Sequence, residues 1–170
     1  FPDVPRLLVR FHTDARDAEY LRDGREGGKR FVADMADQWL SIPGASAFEL
    51  ANEPDANSNE GLANLREYSI GAMEEADRRG IKLCILNLAE GNPHDNGISK
   101  RGATDAEARA VERWKWEQLA EAVKIAARGG HYLGRHCYWR PGVEGPAGRF
   151  HALGRVKWDI ETLLSMGVPA

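Results

Sequence analysis

The segment FELANEPDAN, residues 48–57, ends an apolar run with an amide and a carboxylate side by side. Asn52 and Glu53 stand immediately before Pro54, whose ring fixes the backbone dihedral behind them. A carboxylate at the end of a strand is either an ordinary turn residue or a group that transfers protons to a substrate. The other polar residues of the chain bear on this choice.

Polar and aromatic side chains also follow the other apolar runs of the chain. At or near the carboxyl ends of these runs are Arg10 and His12 in the first, Asn87 and Glu90 in the third, and His136, Tyr138 and Trp139 in the fourth. Residues two apart on a strand point to the same side, so Arg10 shares a face with His12, and His136 shares a face with Tyr138. The set predicts a polar pocket at the carboxyl ends of parallel strands, although a buried Arg10–His12 pair and a core position for Tyr138 are alternatives. Glu49 shares the parity of Glu53 and is expected to need a cationic partner such as Arg10.

The apolar runs are short and three of the four are largely continuous, which is typical of strands buried on both faces of a parallel sheet. They cover residues 6–12, 45–51, 81–87 and 131–139, and helical patterns cover 29–42, 60–80, 104–130 and 153–167. This alternation predicts an α/β fold of parallel βα repeats, a TIM (β/α)8 barrel or a partial barrel of about half that size, as a single domain over residues 1–170. A doubly wound sheet is the alternative, which the absence of a Gly-rich turn after the first run disfavours.

Specific helix signals accompany this pattern. Thr104 and Glu107 predict a capping box, and Gly80 predicts a helix end. Inward faces are predicted for Phe31, Met35, Trp39 and Ile42, for Leu62, Leu65, Ile70 and Met73, and for Val156, Ile160, Leu163 and Leu164. Trp114, Trp116 and Trp158 are expected to pack in the core or on helix faces.

Composition excludes several classes of function. The chain has 42% hydrophobic and 29% charged residues and a net charge of −3, which is the balance of a globular protein without an electrostatic footprint for nucleic acid or an anionic membrane. Cys84 and Cys137 are expected to be buried free thiols, one disulfide being the alternative. The histidines show no metal-ligand spacing, so we expect neither a metal nor a cofactor.

The segment FELANEP resembles the Asn-Glu-Pro signature at the end of strand four in clan A glycoside hydrolases, the superfamily of (β/α)8 retaining glycosidases. RFH, residues 10–12, and HCYW, residues 136–139, are similar to the ends of strands three and six of that family. The resemblance implies that Glu53 is the general acid/base and that Asn52 binds the sugar's 2-hydroxyl. It places His136 and Tyr138 near the nucleophile.

In that family the nucleophile is a Glu at the end of strand seven, which is expected beyond the C-terminus of this chain. Strands one, two and eight have no counterpart here, so the residues present correspond to about half a barrel. Glu90 is a better internal candidate for a second carboxylate than Glu161, which lies inside a helical pattern. The chain alone is therefore expected to lack most activity, since retaining hydrolysis needs two carboxylates.

The resemblance implies a hydrolase that cleaves a β-glycosidic bond with retention and has a carbohydrate as its partner. Its predicted sugar-binding residues are Asn52, Arg10, His12, Glu90, His136, Tyr138 and Trp139. A non-catalytic carbohydrate-binding or scaffold module is the alternative from another class of function. A third hypothesis is self-association of the βα units, because half a barrel leaves two strand edges unpaired.

Overall fold

A computed structural model describes residues 7–10, 14–89, 92–97, 101–136 and 155–169. Five residues that the sequence analysis singled out lie outside this part of the chain, so their predictions stay predictions: His12, Glu90, Cys137, Tyr138 and Trp139.

Strands and helices alternate along the described residues. The elements are β1 (Leu8–Val9), α1 (Asp14–Arg22), α2 (Gly24–Leu40), β2 (Ala47–Glu49), α3 (Asn59–Arg79), β3 (Leu83–Leu88), α4 (Asp105–Gly129), β4 (Tyr132–Arg135) and α5 (Arg155–Ser165). The predicted α/β class is confirmed, but the strands are shorter than the apolar runs and α1 was not predicted.

The four strands form one parallel sheet in the order β1-β2-β3-β4. Leu8 pairs with Ala47, and Phe48 pairs with Leu83. The strand order follows the chain order, without the reversal at which a doubly wound sheet places its ligand. The described polar residues at the strand ends, such as Asn52, Glu53 and His136, therefore lie along a single edge of the sheet.

The helix ends obey their local signals. Thr104 and Glu107 form the predicted capping box of α4, in which each side chain bonds the other's backbone N–H. Gly80 ends α3 with φ 70°, and Gly130 ends α4 with φ 67°, the left-handed conformation that glycine adopts without steric cost. No helix in the described part of the chain is long and apolar enough to span a bilayer.

The core lies between the sheet and the helices α2, α3 and α4. Trp39 stacks on Phe48 with ring centroids 4.9 Å apart, which joins α2 to β2. The predicted face of α3 is confirmed, since Leu62, Leu65, Ile70 and Met73 are all buried. On α2, Phe31 and Trp39 are buried and Met35 packs at the edge of the core, as does Ile42 just beyond the end of the helix.

The predicted face of α5 is wrong in part. Leu163 is buried, but Ile160 and Leu164 are 51% and 46% exposed. Asp159 is buried in their place because it accepts a hydrogen bond from Trp116 Nε1 at 3.0 Å and pairs with Arg135. Those two partners turn a polar position of the helix toward the core.

The other aromatic and acidic predictions for the helices have mixed outcomes. Trp116 is buried and Trp158 packs at the edge of the core, whereas Trp114 is 41% exposed. Glu161 is exposed as expected, with Lys157 3.8 Å away on the same helix.

Candidate active site

The candidate site is built around a contact between Glu53 and His136. Glu53 Oε1 lies 2.8 Å from His136 Nδ1, although the two residues follow β2 and β4, which are separated by β3. The backbone of β3 holds both of them. Glu53 N–H donates to the Asn87 carbonyl at 3.1 Å, and His136 N–H donates to the Leu88 carbonyl at 2.8 Å.

The backbone of Glu53 has an uncommon conformation. Its φ is 45°, in the left-handed region that costs a residue other than glycine about 1–3 kcal/mol. The following Pro54 is buried and disfavours the helical conformation for Glu53. The Glu53 side chain is 31% exposed and that of His136 is 13% exposed, so solvent or a substrate reaches the carboxylate from one side.

Asn52 presents an unsatisfied acceptor beside this pair. The buried Asn52 Oδ1 has no hydrogen-bond partner among the described residues. A buried carbonyl oxygen without a donor costs about 1–3 kcal/mol, so a ligand hydroxyl that donates to it would recover that cost.

A bulge in β3 shapes the floor of the site. The pairing of β3 with β4 shifts between Ile85 and Leu88, and Leu86 and Asn87 have φ of 68° and 34°. Asn87 Nδ2 donates to the Cys84 carbonyl at 3.1 Å and to the Ala51 carbonyl at 3.4 Å. The bulge therefore joins the end of β3 to the residue before Asn52.

Gly134 on β4 lies against this bulge. A Cβ atom at position 134 would lie 1.9 Å from Asn87 Oδ1, far inside van der Waals contact. Only glycine lets the two strands approach this closely while Asn87 keeps its place.

An ion pair lies on the sheet face opposite the helices. Arg10 Nε is 3.5 Å from Glu49 Oε2, and the Glu49 side chain is only 14% exposed. The predicted pairing of Glu49 with Arg10 is therefore confirmed.

Cys84 lies opposite Glu49 in the sheet register and is a buried free thiol, as predicted. Burial is the main cause that raises the pKa of this thiol to about 12, and the negative charge of Glu49 adds to it.

The predicted site residues are thus brought together in part. Asn52, Glu53 and His136 share one rim of the sheet, and Arg10 lies on the face opposite the helices. Within the described ranges, no group of three or more His, Cys, Asp or Glu residues could hold a metal ion.

The sequence analysis missed a buried lysine close to this rim. Lys115 bonds residues in the loops that follow β2 and β3. Its sequence signal is its place on the buried stripe of α4, four residues before Leu119 and seven before Ala122. A lysine at such a position needs polar partners, and the nearby strand-end loops can supply them.

The Glu53–His136 contact can serve two protonation states with one geometry. A protonated Nδ1 donates to a carboxylate, while an unprotonated Nδ1 accepts from a carboxylic acid. The contact therefore persists whichever of the two groups carries the proton. Comparison of the chain with protein-family models, curated proteins and solved structures gave no match.

Proposed function

We propose that the chain belongs to a (β/α)8 glycoside hydrolase of the clan A type, in which Glu53 is the general acid/base of retaining β-glycoside hydrolysis. The observation that carries the proposal is the 2.8 Å contact between Glu53 and His136 at the carboxyl edge of the sheet. It joins the residues on which two separate parts of the sequence resemblance depend.

The sheet topology supports a segment of a barrel. In a (β/α)8 barrel each strand pairs with the next strand in the sequence, and each helix packs on the next helix. Here the strands follow in chain order, and α2 packs on α3, α3 on α4 and α4 on α5. Catalytic groups of such barrels project from the carboxyl ends of the strands, which is where Asn52 and Glu53 lie.

The chemistry assigns different roles to these two residues. Protonated Glu53 gives its proton to the oxygen of the leaving group, and the resulting carboxylate then takes a proton from the attacking water. Asn52 Oδ1 accepts from the sugar's 2-hydroxyl, a hydrogen bond that strengthens in the transition state. The second carboxylate that retention requires is expected from another part of the protein.

One observation favours the alternative of a non-catalytic carbohydrate-binding module. A module of this kind would use the unpaired Asn52 Oδ1 to bind a sugar hydroxyl without cleaving a bond.

Glu53→Gln in the full-length protein tests the proposal. The amide keeps the shape of the side chain but cannot donate the proton, so hydrolysis of β-glycosides with basic leaving groups should fall about 10²–10⁴-fold. Aryl glycosides with acidic phenols need little protonation and should keep their first step. Azide, which attacks without a general base, should then restore their turnover and give a glycosyl azide of retained configuration.

Glu161→Gln is the matched control, because Glu161 is an exposed carboxylate in the middle of α5. It should leave both substrate classes unaffected. A Glu53→Gln variant with the wild-type rate on basic leaving groups would contradict the proposal. Sugar binding by the wild-type protein without turnover of any aryl glycoside would favour the binding module.

A further inference from the structure

We propose that Lys115 is a positioning residue for Glu53: its ammonium group ties the loop that carries Glu53 to the loop that follows β3. This inference rests on the proposed function of Glu53. Lys115 lies on α4 and donates to residues of both loops, so it would act through the loops rather than on a substrate.

Lys115 is completely buried, which is rare for lysine. Its Nζ donates to Asn57 Oδ1 at 3.2 Å, to the His94 carbonyl at 2.7 Å and to Asn96 Oδ1 at 2.6 Å. An ammonium group has three N–H donors, and these three oxygens can use all of them. The geometry is that of a specific polar centre rather than of a side chain that extends to solvent.

The three oxygens come from two different loops. Asn57 lies four residues after Glu53, in the loop between β2 and α3, whereas His94 and Asn96 lie in the loop after β3. Asn57 joins the loops a second time, because its Oδ1 accepts from His94 N–H at 3.0 Å and its Nδ2 donates to Asn92 Oδ1 at 3.0 Å. Lys115 and Asn57 together form what we call the loop clamp.

The loop clamp is continuous with the end of β4. The Arg135 guanidinium donates to the Asn92 carbonyl, and Arg135 immediately precedes His136. Arg135 is itself fixed by Asp159, with its Nε 3.0 Å from Oδ2. Both partners of the Glu53–His136 contact are therefore attached to the same hydrogen-bonded network.

A short turn transmits the position of Asn57 to Glu53. The Asp55 carboxylate accepts from Asn57 N–H at 2.9 Å and from Ser58 N–H at 3.3 Å, and Pro54 is buried between this turn and Glu53. Burial alone would raise the pKa of Asp55, but hydrogen bonds from Ser58 and Asn57 lower it below its ordinary value, so the carboxylate stays ionised. A displacement of Asn57 therefore moves the segment that ends at Glu53.

Lys115→Met tests the clamp, because methionine has a similar length but cannot donate. Leu119→Ala is the matched control: Leu119 is fully buried on the same helix and one turn away, and its truncation destabilises α4 without altering the loops' hydrogen bonds. The two variants are compared at a temperature well below both of their melting points.

Two measurements need no substrate. Amide hydrogen exchange at Asn57 and His94 should become at least about tenfold faster in Lys115→Met, while amides in the middle of α3 stay protected. The ring resonances of His136 should also shift in Lys115→Met and stay unchanged in Leu119→Ala. Unchanged loop exchange and an unchanged His136 spectrum in Lys115→Met would overturn the inference.

The third measurement uses leaving-group dependence. A misplaced acid/base slows the first step only where the leaving group needs protonation, and azide replaces its role as the base of the second step. With azide present, Lys115→Met should therefore lower kcat about 10²-fold for basic leaving groups, with KM unchanged, and leave activated aryl glycosides nearly unaffected. A purely structural role would lower both classes equally, as in Leu119→Ala, and would overturn the positioning role. Glu53→Gln distinguishes the two hypotheses: if it keeps the full rate, the proposed function fails, whatever Lys115→Met does to the loops.

Discussion

Gly134→Ala tests whether the close contact between β4 and the β3 bulge holds the site together. The new Cβ would lie 1.9 Å from Asn87 Oδ1 and 2.9 Å from Cys84 Sγ. Asn87 is 1% exposed, so its side chain cannot turn out into solvent without a wider rearrangement. Its side-chain oxygen must therefore move by more than about 1 Å before the contact becomes tolerable.

The cost follows from what that movement breaks. Asn87 Nδ2 would lose its hydrogen bonds to the Cys84 and Ala51 carbonyls, and each such bond is worth about 1 kcal/mol. Overpacking adds a cost of the same order. We expect Gly134→Ala to lower the free energy of unfolding by about 2–3 kcal/mol, and the melting temperature by roughly 5–10 °C for a domain of this size.

The site should respond as well, since the Asn87 carbonyl accepts from Glu53 N–H at 3.1 Å. A shift of the bulge moves Glu53 relative to His136, whose ring resonances should change. The assay is thermal and denaturant unfolding of the wild type and the variant, with an NMR spectrum of the histidine rings recorded below the transition.

A double-mutant cycle with Asn87→Gly isolates the contact. Asn87 has φ 34°, so glycine can replace it without backbone strain and removes the oxygen that the new methyl group would meet. Gly134→Ala should then cost at least about 1 kcal/mol less in the Asn87→Gly background. Additive effects, or a Gly134→Ala variant as stable as the wild type, would refute the reasoning.

Two further predictions concern other parts of the fold. Burial lowers the pKa of His131 below its ordinary 6.5, so the unfolded state takes up a proton before the folded state does as the pH falls. The free energy of unfolding should therefore be constant above about pH 6.5 and decrease below it. His131→Asn should flatten this decrease in denaturant titrations at different pH values. Gly28→Ala should lower the free energy of unfolding by about 2–3 kcal/mol, because the new Cβ would lie 2.0 Å from the Tyr68 carbonyl oxygen. Helix propensity alone predicts the opposite change, an increase of about 1 kcal/mol. The sign of the change in thermal unfolding decides between these two effects, with Ala33→Gly on the exposed face of α2 as the control for propensity.

Features that depend on neighbouring residues alone could be predicted from the sequence. The capping box of Thr104 and Glu107 and the left-handed Gly80 need only a few residues of context, and both are present. The predicted buried face of a helix was confirmed where its apolar stripe is uninterrupted, as on α3. The α5 prediction failed because Asp159 has its partners Arg135 and Trp116 on other elements, which periodicity does not reveal.

The start of α2 also depends on packing contacts that the local sequence pattern does not show. Gly27 and Gly28 lower helix propensity, so the sequence pattern placed the helix start five residues later than Gly24. Their role becomes clear only in the packing, where Gly28 lies against the backbone of α3. Close approach of two helices outweighs a local preference of about 1 kcal/mol per glycine.

The site itself combines both kinds of information. That Asn52, Glu53 and His136 share one rim follows from the rule that parallel strands end at the same edge, so their proximity was predictable. The distance between them was not, because it depends on how β3 accepts hydrogen bonds from both neighbours through Asn87 and Leu88, at a bulge that lies inside a continuous apolar run. A strand-end carboxylate in a sequence therefore indicates where a site lies, while the irregular strand between the partners decides whether they touch.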